Sequence, residues 1–189
     1  MKLRTRDYEK QQRIKEAMVH LILREGIGGA SVAKIAREAR VSPATIYIYY
    51  TSKEEMLSEA FREYSHQSYQ YLSRLLRPEM GGAELIDAIV RGYFAYASEH
   101  REVFSFVEQC SRCPGLAHSV SEEECCCGII DLIHQYQTRG ELRRCSDLNL
   151  AAILFAPVRF LALNREAAGP EIGLRLAELV RMLQHLLLP

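Results

Sequence analysis

The stretch SVAKIAREARVSPATIYIYYTSK, Ser31 to Lys53, constrains this chain more than any other. Ser31 is a good helix N-cap, and Ile35, Ala36 and Ala39 recur at the spacing of one helical face. Ala36 is small, which lets a second helix cross close by. Ser42 caps that second helix, with Pro43 at its first position, where the missing N–H costs nothing. Val41 and Ile46 fill the angle between the two. Ser52-Lys53-Glu54-Glu55 has the S-x-x-E form of a capping box and opens a third helix. Helix, tight turn and helix form the arrangement whose second member enters the major groove of DNA.

The rest of the chain keeps the helical period. Residues 1–10 read as a polar arm carrying Arg4 and Arg6. From about Tyr8 to Glu25, Ile14, Ala17, Met18, Leu21 and Ile22 repeat at three and four, and Gly26, Gly28 and Gly29 end that helix. A long helix is predicted from Lys53 to about Arg77, stopped by Pro78 and Gly81-Gly82. Shorter ones follow over about 83–99, 101–110 and 120–139. Pro114-Gly115 marks a loop, and Gly140 is the residue just past a helix end. Ser146 or Asp147 caps an eighth helix reaching Asn164 and kinked at Pro157; Gly169-Pro170 opens a ninth. Nothing alternates with period two, so the fold is all-α, with about nine helices.

Charge divides the chain at the end of the constraining stretch. Residues 1–53 hold eleven Lys and Arg against five Asp and Glu, net +6; residues 54–189 are net −6, and the whole is neutral. All five lysines lie in the first part. A basic module joined to an acidic body fits a phosphate-binding head, residues 1–52, on a body with another task, residues 53–189. There is no run of eighteen apolar residues and no signal-peptide pattern, so no membrane is involved and a cytoplasmic protein is expected.

Val41-Ser42, Thr45-Ile46-Tyr47 and Tyr49-Tyr50-x-Ser52-Lys53-Glu54-Glu55 together resemble the TetR family of bacterial transcription regulators. The resemblance covers about the first sixty residues. It implies that Tyr47, Tyr49 and Lys53 face DNA at phosphate reach and that Tyr50 is buried. Pro43, Ala44 and Thr45 occupy the turn that meets base edges, and Ser31, Lys34, Arg40 and Ser42 complete the DNA-facing set. Arg40 departs from the family, where many members have glycine; a left-handed backbone there costs about 1 kcal/mol. Ile48 replaces a residue that is often aromatic.

The resemblance also implies a homodimer through the last two helices, with Phe155, Val158, Leu161 and Ala162 on one and Leu176, Leu179, Leu183 and Leu187 on the other. Their wide apolar arcs agree with that. It further implies a pocket for a small-molecule effector, with Tyr69, Tyr93, Tyr96, Phe104, Phe106 and His134 as candidate lining. The partners expected are thus double-stranded operator DNA, a second copy and that effector, in a ligand-responsive repressor.

Six cysteines leave a sensor reading open. Cys110-x-x-Cys113 with His118 offers half a zinc site, whereas Cys125, Cys126 and Cys127 point about 100° apart on a helix and cannot share one ion. Buried cysteines serving as small apolar residues explain them more simply. No catalytic triad, paired-carboxylate, metalloprotease, phosphate-loop or dinucleotide signature is present, so a small helical enzyme has little support and no cofactor is expected.

Overall fold

A computed structural model describes residues 2–113, 116 and 122–189, with side chains over residues 8–113, 116, 128–167 and 169–189. The described residues form ten α-helices and no strand: α1 Lys2–Gly29, α2 Val32–Glu38, α3 Pro43–Tyr49, α4 Lys53–Ser73, α5 Gly82–Glu99, α6 Arg101–Ser111, α7 Glu122–Thr138, α8 Asp147–Leu163, α9 Arg165–Ala168 and α10 Ile172–Leu187. A 3₁₀ turn, Gly169–Glu171, joins the last two. None of the described helices is long and apolar enough to cross a membrane.

Two of these bounds differ from the sequence reading. The polar arm is helical from Lys2, because residues 2–13 contain no Gly or Pro and are rich in good helix formers. At its other end the helix breaks at Gly26, as the glycines there imply, with a φ of 78° and a ψ of 167° that no helix accommodates. Further on, α4 stops at Ser73, where the Leu75 N–H turns to Leu72 O at 2.8 Å. The predicted loop at Pro114-Gly115 and the start of a helix at Val120 lie outside the described residues, as do His118 and the side chains of Arg4, Arg6 and Cys125–Cys127.

The chain forms two compact units. One combines Met1–Ser65 with Glu102–Ser121, the other His66–Arg101 with Glu122–Pro189. In the first, Ile14, Met18, Leu21 and Ile22 of α1 are buried with Ile35 and Ala36 of α2, Ile46 of α3, and Met56, Leu57 and Phe61 of α4. Tyr64 meets Phe106 of α6 edge-on at 5.9 Å, and the buried Lys15 donates to Glu63.

In the second unit α5 packs against α8 and α10. Its buried Leu85, Ile86, Ile89 and Val90 join Leu150, Leu154 and Val158, and Leu176, Val180 and Leu183. Gly82 opens α5 where a Cβ would sit 2.6 Å from Glu141 O, so only glycine admits that approach. The Tyr136 hydroxyl donates to Met80 O at 2.6 Å and ties the α4–α5 connection to α7.

Candidate nucleic-acid interface

Two hydroxyl caps build the α2–α3 module. Ser31 Oγ accepts from the Lys34 N–H at 3.3 Å and Ser42 Oγ from the Thr45 N–H at 3.2 Å, each filling an otherwise empty donor of a helix first turn. Between them Arg40 holds φ at 55°, and the Val41 N–H returns to Ala36 O at 2.9 Å. The turn therefore needs the left-handed conformation that glycine supplies cheaply, and here arginine supplies it. Ile46 and Tyr50 are buried, and burial pushes the Tyr50 hydroxyl up to about 12. Tyr47 is 58% exposed and Ile48 77%, while Ser42, Pro43 and Ala44 are also exposed and Thr45 and Tyr49 partly so.

The third cap departs from the sequence pattern. Ser52 Oγ accepts from the Glu55 N–H at 3.0 Å, but the Glu55 carboxylate accepts from the hydroxyl and the N–H of Thr51 instead of from Ser52. Those bonds hold the Glu55 carboxyl below its ordinary range, the Thr51 hydroxyl contributing most.

Three basic residues of the module, Lys53, Lys34 and Arg24, have partners within it. Lys53 Nζ donates to Ala30 O at 3.2 Å and Ile27 O at 3.3 Å, clipping the start of α4 to the α1–α2 connection. Lys34 Nζ donates to Glu25 at 2.6 Å and Gly29 O at 3.0 Å. Arg24 donates to Glu38 at 2.9 Å. The Lys34 bond holds the Glu25 carboxyl below its usual range, and the Arg24 bond does so for Glu38.

This geometry fits what comparison with known proteins finds. Residues 14–60 match the sequence pattern of the bacterial regulatory proteins of the tetR family. Residues 14–60 therefore carry a TetR-family module.

Among TetR-type relatives, a fatty acid metabolism regulator protein of Bacillus subtilis is 28% identical over 92 residues, 48% of this chain and 47% of that protein. An HTH-type nicotine-responsive transcriptional repressor of Paenarthrobacter nicotinovorans is 29% identical over 87 residues, 46% of this chain and 43% of that one. The chain thus spans about half the length of these relatives. A TetR family transcription regulator from Marinobacter aquaeolei has the same fold, with a TM-score of 0.82 over 98% of both chains at 23% identity.

Outside the TetR module, the aromatic candidates are divided between the two units. Phe104 and Phe106 belong to the first unit, Tyr69, Tyr93 and Tyr96 to the second. Within the second, Tyr93 and Tyr69 both meet the Phe155 ring edge-on, at 5.2 and 6.4 Å. Tyr96 instead stacks with Tyr71 at 5.4 Å and His100 at 4.7 Å, two residues the sequence reading passed over although His100 stands four after Tyr96. The Tyr96 hydroxyl is buried without a hydrogen-bond partner among the described residues, and burial pushes it up to about 12. His134 is exposed and sits 2.7 Å from Asp147.

The nominated interface residues also need correction. Phe155, Val158, Leu176, Leu183 and Leu187 are buried inside the second unit, leaving Leu161, Ala162 and Leu179 part-exposed. Each helix has a second apolar stripe that faces out. On α8 it comprises Ile153, Pro157 and the 66% exposed Phe160; on α10 it comprises Leu179, Met182 and Leu186, the last two 63% and 51% exposed. Ile153, Pro157, Leu179, Met182 and Leu186 border a surface groove of about 640 Å³ with Arg143 and His185. Both stripes have helical period, so spacing alone does not tell which one faces inward.

The cysteine reading loses weight. Cys110 is buried, and burial pushes its thiol up to about 12, a poor nucleophile; Cys113 is part-exposed. Among the described residues no three His, Cys, Asp or Glu side chains converge as a metal site.

Proposed function

We propose that this chain is a homodimeric, ligand-responsive transcriptional repressor whose α2–α3 module binds an inverted-repeat operator. The observation that carries the reading is the capped helix pair, Ser31 and Ser42 each closing a first turn, with Tyr47 and Ile48 projecting from the second helix. Two copies would place their α3 helices on half-sites about 34–36 Å apart. The outward stripes of α8 and α10 are the surface we assign to dimerisation, since an apolar groove lined by Pro157 and Met182, with exposed Phe160 on the same stripe of α8, is costly to leave in water. Effector-dependent release is supported by relatives that respond to small molecules, as the nicotine-responsive repressor's name records.

Within the second unit, Tyr96 is the polar anchor we assign to the effector. An unpaired buried hydroxyl costs about 1–3 kcal/mol, and a ligand with a suitable acceptor or donor relieves it. The continuous helix α4 begins at Lys53 beside the reader and ends at Ser73, so tilting it is the route by which a ligand would change reader spacing. A ligand that prefers the non-binding spacing about 100-fold supplies roughly 2.7 kcal/mol of coupling, and operator must weaken its binding by the same factor.

The test is selection of duplexes from random genomic fragments with the whole protein, followed by footprinting. Protection of an inverted repeat by a dimer supports the reading. Retention of no duplex at low salt sinks it.

A further inference from the structure

Side chains on a helix advance about 100° per residue. With buried Ile46 pointing inward, Ala44 and Ile48 each lie about 160° from it and together form the crest of the outer face of α3. Tyr47 flanks that crest on one side and Thr45 on the other, and the Thr45 hydroxyl is 2.8 Å from that of Ser42. Between Pro43 and Tyr49 there is no Arg, Lys, Asn, Gln, Asp or Glu. The helix can therefore make none of the bidentate pairs that single out guanine or adenine. Lys34 and Lys53, on either side, are held by carbonyls and by Glu25. An exposed isoleucine crest has one apolar target in the major groove, the 5-methyl group of thymine.

We propose that Ile48, with Ala44 beside it, is the specificity-determining contact of this protein and reads thymine methyl groups within each half-site. The proposal rests on the DNA-binding reading of the α2–α3 module. Ile48 supplies the apolar surface, and Ala44 is small enough to let the helix approach. Tyr47 positions the helix through phosphate and carries no sequence information. Covering one methyl group with Ile48 is worth about 0.8 kcal/mol, or about fourfold in affinity.

The experiment uses the full chain and a duplex selected from a random pool. Each thymine of that duplex is replaced singly by uracil, which deletes the methyl group and keeps every hydrogen-bonding edge. One or two thymines per half-site should lose about fourfold in affinity when demethylated, and the loss should vanish in Ile48→Ala. The DNA-side change leaves the protein untouched, so the result does not depend on how the variant folds. Uracil and thymine duplexes bound equally by the wild type would overturn the proposal while leaving DNA binding intact. The same loss in wild type and Ile48→Ala would also overturn it, by showing that another residue touches the methyl. Recovery of no duplex at all would overturn both the proposal and the DNA-binding reading beneath it.

Discussion

The N-terminal module and the C-terminal helix pair present opposite cases of one rule. In the module, side chains that composition assigns to a polyanion are held by partners of the module itself: Lys53 by Ala30 O and Ile27 O, Lys34 by Glu25 and Gly29 O. An isoleucine stands out in solvent instead. In α8 and α10, side chains that composition assigns to a partner, Val158 and Leu183 among them, are the unit's own core, and Phe160 and Met182 face water. Residue type identifies the region, but the direction a side chain takes is settled by what lies behind it.

The largest expected effect separates the two stripes of α10. Leu183→Glu places a carboxylate in the core and should cost several kcal/mol, enough to abolish cooperative melting of the second unit. Met182→Glu, one residue earlier, should leave the fold of the second unit intact and convert the proposed dimer to monomer in sedimentation, with any loss in the melt limited to what dimerisation itself supplies. Dimers that survive Met182→Glu and Phe160→Glu together would move the interface elsewhere.

Next in size is the Lys53 clip. Lys53→Ala removes a charged donor from two carbonyls and should destabilise the protein by about 1.5–3 kcal/mol, read as a lowered denaturant midpoint without DNA. A variant with unchanged stability but a shallower salt dependence of DNA binding would make Lys53 a phosphate contact first and a clip second.

A smaller gain is expected from Arg40→Gly. Removing the Cβ at a φ of 55° should stabilise by about 1 kcal/mol, less whatever glycine costs the unfolded chain. If DNA affinity falls at the same time, the guanidinium contributes to binding.

The smallest effect concerns the exposed carboxylates. Glu25 and Glu38 have folded-state affinities for protons below the ordinary value of 4.5, set first by the Lys34 and Arg24 hydrogen bonds. Their contribution is present above pH 4.5 and is lost as pH falls through the depressed folded values. Both are solvated, so the loss should be slight and should shrink with salt. Melting of wild type and Glu38→Gln at pH 5 and pH 3 should converge at the lower pH.

Much of the first sixty residues was legible because capping is local chemistry. Ser31, Ser42 and Pro43 act within three residues of themselves, and Arg40 announced its left-handed turn by standing where glycine is the usual choice. The all-α class was legible from period alone. What period does not encode is which of two apolar stripes turns inward, and α8 and α10 each have two. Nor does it encode long-range partners: Lys53 meets carbonyls 23 and 26 residues away, and His134 meets Asp147 thirteen residues on. The break at Gly26 was foreseen, whereas the arm before Tyr8 was not, since polar helix formers without an apolar stripe look like coil to a periodicity argument.

The ion pairs of the first unit also set how binding should respond to salt. Association with a duplex is driven by the counterions that incoming cations displace, about 0.9 per phosphate neutralised. Lys15, Arg24 and Lys34 already neutralise carboxylates and Lys53 sits on carbonyls, so four of the eight cations whose side chains are described in residues 8–53 have partners before DNA arrives. The ion release open to each chain is then smaller than its full set of cations would allow, and the affinity should fall with salt more gently than the sequence charge implies.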